Sequence, residues 1–323
     1  MGRVRLDRPF SFLCSPLTGS CRQLTEVGIK NPSVLLFWSS FDILINRFDL
    51  MRGNGCERRN ADFLTFSLFF PRMTERLMIL VTNDDGIHSK GIIVLAKALQ
   101  EIGDVFVVAP DREKSAIAHS LTLHRPLRVE KIRKNFYAVD GTPADCVHLG
   151  VNVILRERPG LVVSGINKGG NLGDDITYSG TVSAAFEATL LGLPSFAISL
   201  VSRGRFKFDV AARFAVRVAR QILKKGLPKD TLLNINVPNL DKGQMESYKI
   251  TQQGRWVHNG SAVVEKVDPR GKKYYWIGGG QLIFDKRKDT DFEAVSDSYI
   301  SITPLHLDLT HYPSIRRLKQ WRF

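Results

Sequence analysis

The chain has 323 residues, of which 43% are hydrophobic and 24% are charged, enough to bury one large core or one core with appendages. Its formal net charge of +14 favours acidic partners, but phosphate-bearing substrates, nucleic acid and anionic membranes all fit that charge, so it assigns no chemistry. The four cysteines are spaced for neither a disulfide framework nor a zinc site, which excludes those classes and is typical of a cytoplasmic protein.

Residues 1–77 show no sustained hydrophobic period. Their start lacks the uninterrupted apolar stretch of a signal peptide. The apolar run at residues 34–45 is shorter than the roughly 20 residues that a spanning helix needs. We therefore expect no membrane segment. We expect instead an N-terminal extension that is disordered, or that precedes a true translation start at Met73 or Met78.

From residue 78 onwards, short β-branched or apolar runs alternate with amphipathic stretches, a pattern typical of an α/β protein. Strands are predicted at residues 78–82, 105–109, 161–163, 195–200 and 232–237, and helices at 89–102, 144–155, 182–191 and 210–225. Right-handed crossovers between such strands give a Rossmann-like, mostly parallel sheet with helices on both faces. Ligands of that architecture bind at the carboxyl ends of the strands.

The pattern changes after Pro238. Residues 248–251, 273–277 and 281–284 are predicted to form antiparallel strands, and the glycines at 278–280 are predicted to turn the last two into a hairpin. A final apolar run at 299–302 precedes a basic tail.

Two adjacent carboxylates, Asp84 and Asp85, follow the first predicted strand directly. Side chains alternate along a strand, so these neighbours can converge only where the strand stops and the chain turns, which Gly86 permits. Two carboxylates at such a short distance repel each other unless a cation lies between them. A solvent-exposed turn explains the same residues, so this motif alone leaves both interpretations open.

Ser115 and Asn167 follow two other predicted strands, and we expect their loops at the same edge of the sheet. Their neutral oxygens and the two carboxylates form an all-oxygen set suited to a hard cation such as Mg²⁺ or Mn²⁺. The alternatives are a helix N-cap for Ser115, before a helix-like stretch at 116–121, and a turn residue for Asn167.

Ser179, Gly180 and Thr181 open a predicted helix that is rich in small residues. The free N–H groups and positive dipole end of such a helix start accept phosphate, the two hydroxyls add donors, and the glycine allows close approach. An ordinary N-cap is the alternative interpretation.

A metal at two carboxylates beside a phosphate cradle predicts a divalent-metal-dependent phosphatase with Asp84 and Asp85 as its catalytic residues. The motifs of dinucleotide-binding proteins, P-loop ATPases, serine hydrolases and zincins do not occur. A phosphotransferase or a sugar-phosphate phosphatase would share the predicted site. An alternative function of a different class is a non-catalytic polyanion- or nucleic-acid-binding module. It would use the net positive charge and the basic, aromatic residues 255–256 and 272–276.

Segments spread over nearly the whole chain from Met78 onwards resemble the SurE family, the stationary-phase survival nucleotidases. They are MILVTNDDG (78–86), VVAPDREKS (107–115), GTPAD (141–145), VSGINKGG (163–170), SGTVSA (179–184), LNINVP (233–238) and YISITP (299–304).

The resemblance implies a 5′-nucleotidase that releases phosphate from nucleoside monophosphates, with 3′-nucleotides and short polyphosphate as further substrates. It implies one divalent metal per subunit, held by Asp84, Asp85, Ser115 and Asn167, and a phosphate-contacting loop at residues 179–181. It also implies a homodimer or homotetramer built through C-terminal elements, with no stable nucleic-acid or membrane partner. The chain would then comprise an extension, residues 1–77, and a SurE-like nucleotidase domain, residues 78–323.

Overall fold

The computed structural model describes residues 76–202, 204–241, 247–257, 263–277, 283–284 and 287–322. The predicted extension therefore lies outside the described residues except for Arg76 and Leu77. The predicted glycine turn at 278–280 lies outside them as well.

A nine-stranded sheet organises the described residues. Its strands are β1 (Met78–Thr82), β2 (Asp104–Pro110), β3 (Val129–Arg133), β4 (Phe136–Val139), β5 (Leu161–Lys168), β6 (Ser195–Val201), β7 (Thr231–Pro238), β8 (Tyr248–Ile250) and, after four short strands, β13 (Ile300–His306). The spatial order is β3-β4-β2-β1-β5-β6-β7-β13-β8. The six strands from β4 to β7 run parallel, so the carboxyl ends of β2, β1 and β5 lie side by side at one edge.

Helices cover both faces of this sheet, as predicted. They are α1 (Lys90–Leu99), α2 (Pro143–Leu149), α3 (Gly180–Leu190), α4 (Phe208–Lys225), α5 (Asp291–Ser296) and α6 (Tyr312–Leu318). Because side chains alternate along a strand, Ile79 and Val81 of β1 pack with α1 and α4, whereas Leu80 packs with α2 and α3.

Three local features of the structure differ from the sequence analysis. The hairpin of β3 and β4 was not predicted, because β3 is fully exposed and shows no core-facing alternation. The helix predicted at 144–155 is α2 followed by a π-helical turn, Gly150–Ile154. The strand predicted as antiparallel at 248–251 is β8, which pairs in parallel with β13, and β13 itself is antiparallel to β7.

A C-terminal antiparallel hairpin is present, but its predicted strand pairing is wrong. β10 (Val263–Val267) pairs with β11 (Lys273–Ile277), whereas β12 (Ile283–Phe284) pairs with β9 (Trp256–Val257). The turn of the hairpin contains Gly271, whose φ is +78°. No helix in the described parts of the chain is long and apolar enough to cross a membrane.

Candidate active site

Asp84 and Asp85 lie at the carboxyl end of β1, in the middle of the parallel strands. The chain turns at Gly86, whose φ is +94°. A Cβ there would come within 3.0 Å of the Arg112 carbonyl carbon, so the turn requires glycine for both conformation and space. Asp84 is only 5% exposed and Asp85 is half-buried, which argues against a simple solvent-exposed turn.

The electrostatics of this pair favour a positive partner. The pKa of Asp84 is raised from 3.8 to about 6, chiefly by burial; the hydrogen bond from Thr181 opposes this rise and the charge of Asp85 adds to it. Burial also raises the pKa of Asp85, against the opposing charge of Lys168. A cation between the two carboxylates would favour their ionised forms.

The loop between β2 and β3 brings Ser115 towards the aspartates. The backbone N–H of Lys114 donates to the Asp84 carbonyl oxygen at 2.7 Å. Ser115 itself is exposed, and its hydroxyl donates to Glu113 Oε1 at 2.8 Å. Residues 116–121 form no helix, so the N-cap interpretation of Ser115 is wrong.

The end of β5 brings Asn167 to the other side of the pair. The backbone N–H of Lys168 donates to Asp85 Oδ2 at 3.3 Å. Asn167 is half-buried and its Nδ2 donates to the Gly169 carbonyl oxygen at 3.0 Å. This bond uses the amide nitrogen and leaves the amide oxygen, the atom that binds a hard cation, for another partner.

The start of α3 packs directly on Asp84. The Thr181 hydroxyl donates to Asp84 Oδ1, and a Cβ at Gly180 would come within 2.9 Å of the Asp84 Cβ. Ser179 caps the helix by accepting the Val182 N–H at 3.0 Å. Its N-cap role is therefore real, while Thr181 and Gly180 serve the carboxylate as well as the helix start.

A buried polar network beneath the 167–171 loop was missed in the sequence. The backbone N–H of Asn171 donates to Asn236 Oδ1 at 2.8 Å, and the Asn171 carbonyl oxygen accepts from Asn234 and Asn236. Asn171 Nδ2 also donates to Ser199 at 2.7 Å. The sequence does contain a signal for this network, namely the two asparagines that alternate within the apolar strand β7. Buried amides require hydrogen-bond partners.

A buried glutamate was also missed. Glu187 of α3 is 5% exposed, with His119 Nε2 2.9 Å from its Oε2 and His148 Nδ1 3.1 Å from its Oε1. The hydrogen bond from His119 holds the pKa of Glu187 below its usual value, against the effect of burial. The sequence signal for this buried carboxylate was a single glutamate among the small apolar residues of the helix. His88, the histidine nearest to the aspartates in sequence, is exposed.

The donor set fits a hard divalent cation. In the part of the chain that the structure describes, no group of three or more His, Cys, Asp or Glu could hold a metal ion. A cation at Asp84 and Asp85 would therefore need neutral oxygens, and Ser115 and Asn167 are adjacent to the residues whose backbone N–H groups bond the pair. Carboxylate, hydroxyl and amide oxygens suit Mg²⁺ or Mn²⁺ rather than softer metals.

Comparison with known families gives one clear match. The family model described as survival protein SurE matches residues 79–260. The matched range includes every residue of the predicted site.

Individual relatives agree with that match. A 5′-nucleotidase SurE of Geobacter sulfurreducens is 57% identical over 244 residues, which cover 75% of this chain and 93% of the relative. A 5′-nucleotidase SurE of Geobacter metallireducens is 56% identical over 248 residues, which cover 76% and 98%. The crystal structure of the SurE protein from Aquifex aeolicus is 46% identical, with a TM-score of 0.68, and the match covers 75% of this chain and 98% of that one.

Proposed function

This chain belongs to the SurE family, and we propose that it is a metal-dependent 5′-nucleotidase whose site is the carboxyl edge of the sheet. The observation that carries the proposal is the convergence of three segments on one aspartate pair. Lys114 and Thr181 bond Asp84, and Lys168 bonds Asp85. The activity named for its relatives supplies the substrate class, a nucleoside monophosphate.

Within this proposal, Asp84, Asp85, Ser115 and Asn167 hold one divalent cation per subunit, Mg²⁺ or Mn²⁺. The burial of Asp84 and the raised pKa values of both aspartates support it, since two carboxylates in so small a space are better accommodated with a cation than without one. When bound, such a cation polarises a phosphoryl oxygen and lowers the pKa of a coordinated water.

The substrate phosphate would lie at the start of α3, where Ser179, Gly180 and Thr181 begin the helix. Backbone N–H groups and the positive end of the helix dipole favour an anion there. The Thr181 hydroxyl fixes the orientation of the Asp84 carboxylate. Lys114 and Lys168, which flank the predicted ligands, add positive charge beside the phosphate. Water replaces the nucleoside at phosphorus, and the leaving ribose oxygen takes up a proton.

The proposal extends to 3′-nucleotides and short polyphosphate, which present the same terminal phosphate. It includes a homo-oligomer, supported by the exposed apolar side chains of β11, and a cytoplasmic location, supported by the free buried thiol of Cys146. It also assigns residues 78–323 to the nucleotidase domain, in keeping with a family match that begins at residue 79.

Phosphate release tests this function directly. The full chain is stripped with a chelator and assayed against 5′- and 3′-nucleoside monophosphates and short polyphosphate, before and after Mg²⁺ or Mn²⁺ is restored. We expect release from 5′-nucleotides only with metal, and none from Asp84→Asn. Absence of release with every substrate and metal would contradict the proposal, and tight, salt-dependent binding of long polynucleotides would then favour the polyanion-binding alternative.

A chain that starts at Met73 tests the domain assignment. This start keeps Leu77, whose carbonyl oxygen accepts the Asp104 N–H at 2.8 Å and whose side chain packs against the core. Equal activity of the short and full chains is expected. A large loss would show that the extension contributes to the enzyme.

A further inference from the structure

The loop that carries Ser115 contains no regular secondary structure between β2 and β3. Two of its alanines, Ala116 and Ala118, have φ values of +55° and +53°. A residue with a Cβ is disfavoured in this left-handed region, so the conformation of the loop depends on contacts with the rest of the protein.

Side-chain contacts hold the loop to two different helices. His119 Nε2 lies 2.9 Å from Glu187 Oε2, and Glu187 belongs to α3, the helix whose first turn packs on Asp84. Further along, the Thr142 hydroxyl donates to the Ser120 carbonyl oxygen at 2.8 Å. Of these two side-chain contacts, the one of His119 links the Ser115 loop to α3.

A backbone hydrogen bond reinforces this link. The N–H of Ala118 donates to the Tyr178 carbonyl oxygen at 3.1 Å, so the residue before His119 meets the residue before Ser179. The His119 ring also lies 6.3 Å from the Phe186 ring, on the same helix. The loop and the first two turns of α3 therefore act as one packed unit on one side of the aspartates.

We propose that His119 is a positioning residue, which holds Ser115 at the metal site through its hydrogen bond to Glu187. The inference rests on the proposed metal-dependent function, and it concerns the affinity of the metal site rather than the chemistry. The His119 ring meets Glu187 and Phe186 of α3, and within the described residues it bonds neither aspartate. Its effect on the metal would therefore pass through the loop.

His148 provides a matched control. Its Nδ1 bonds the other oxygen of the same glutamate at 3.1 Å, but it belongs to α2, which carries no residue of the predicted site. Loss of either histidine removes one partner of Glu187. Only the loss of His119 also removes a side-chain contact of the Ser115 loop.

The test measures Mn²⁺ binding to the full-length, chelator-stripped protein by isothermal titration calorimetry, without substrate. His119→Ala is expected to raise the dissociation constant about tenfold, in the range that outer-shell changes produce, and His148→Ala to leave it unchanged. His119→Gln, whose amide nitrogen reaches about as far as Nε2, is expected to restore most of the affinity. His119→Asn, which is too short, is expected not to.

Two patterns would overturn the proposal. Unchanged affinity in both His119→Ala and His119→Asn would show that the loop is held without this contact, and an equal loss in His119→Ala and His148→Ala would show a general packing effect. If His119→Ala does not fold, the comparison of His119→Gln with His119→Asn decides. Absence of Mn²⁺ binding by the unmodified chain is a different result, because it would contradict the metal site itself.

Kinetics provide a second readout. With saturating metal the variants should regain the maximal rate of the unmodified chain, because the chemistry is untouched. At limiting metal, His119→Ala should be slower and His148→Ala should not. A lower maximal rate of His119→Ala at saturating metal would contradict a role in positioning alone.

Discussion

Globular proteins usually bury apolar side chains and expose charged ones. The carboxyl edge of the sheet and the C-terminal hairpin depart from this pattern in opposite ways. At the edge, a carboxylate, Asp84, is 5% exposed beside a second one. In the hairpin of β10 and β11, Trp276 is 63% exposed and Ile277 is 88% exposed. The first region removes charge from water, and the second leaves apolar surface in water.

Each departure is unfavourable in the described part of the chain taken by itself, and a partner of the right chemistry would relieve it. A buried carboxylate destabilises the fold until a cation neutralises it. A cluster of exposed apolar side chains is stabilised when another surface covers it. The edge thus predicts a small cationic partner and the hairpin a macromolecular one.

Asp84→Asn tests the edge with the largest expected effect. Activity should fall by more than about 100-fold, since even outer-shell changes at metal sites reduce activity about 10- to 100-fold. Stability should change in the opposite direction. A pKa raised from 3.8 to about 6 corresponds to about 3 kcal/mol, so the metal-free variant should be more stable at pH 7 by up to that amount.

Phosphate release and urea unfolding in chelator measure the two effects. Asp104→Asn is the control, because Asp104 is an exposed aspartate at the start of β2. A variant that loses activity and stability together would indicate that Asp84 is mainly a structural residue.

Gly180→Ala tests the packing of α3 on the aspartate. The added methyl group would meet the Asp84 Cβ at 2.9 Å and the Lys114 carbonyl oxygen at 3.3 Å, so either the helix start or the carboxylate must move. A displacement of about 1 Å at a catalytic group can reduce the rate about 100-fold. The measurements are kcat/KM and Mn²⁺ affinity, and Gly204→Ala, where a Cβ meets nothing within 4 Å, should match the unmodified chain. Normal activity would show that the contact is loose.

The pH dependence of stability tests whether the charge on Asp84 is as unfavourable as its burial suggests. Between pH 3.8 and about 6, the unfolded chain loses this proton while the folded chain keeps it. The free energy of unfolding should therefore fall as pH rises through that window and stay level above it. Urea unfolding in chelator from pH 4 to pH 8 measures it, and the difference between the unmodified chain and Asp84→Asn isolates this group. A constant difference would contradict the raised pKa.

The edge was predictable from the sequence because its signals are local. A buried strand followed by two aspartates and Gly86 requires a turn, and parallel strands bring successive strand ends to one edge. The positions of Ser115 and Asn167 after two further strands are therefore enough to predict that both lie near the pair.

The contacts that tie the site together could not be predicted in this way. Glu187 meets His119 and His148 across sequence separations of 68 and 39 residues, and nothing in the spacing of the three residues sets that meeting. The strand pairing of the hairpin failed for a similar reason. Two exposed strands and several glycines allow more than one register, and the choice depends on contacts that the local pattern does not contain.

Substitutions in the hairpin of β10 and β11 are expected to have the smallest effect on folding, and they test assembly directly. Trp276→Ser with Ile277→Ser removes exposed apolar side chains, so the free energy of unfolding should change by less than about 1 kcal/mol. The molar mass from light scattering should fall towards that of one chain, if this surface joins the proposed homo-oligomer. Val153→Ser, at a side chain that is 68% exposed on the π-helical turn, is the control, because an isolated exposed apolar residue needs no partner. An unchanged oligomer in the hairpin variant would mean that the subunits join elsewhere, and the comparison with the edge would then fail, because the hairpin would be exposed without a partner.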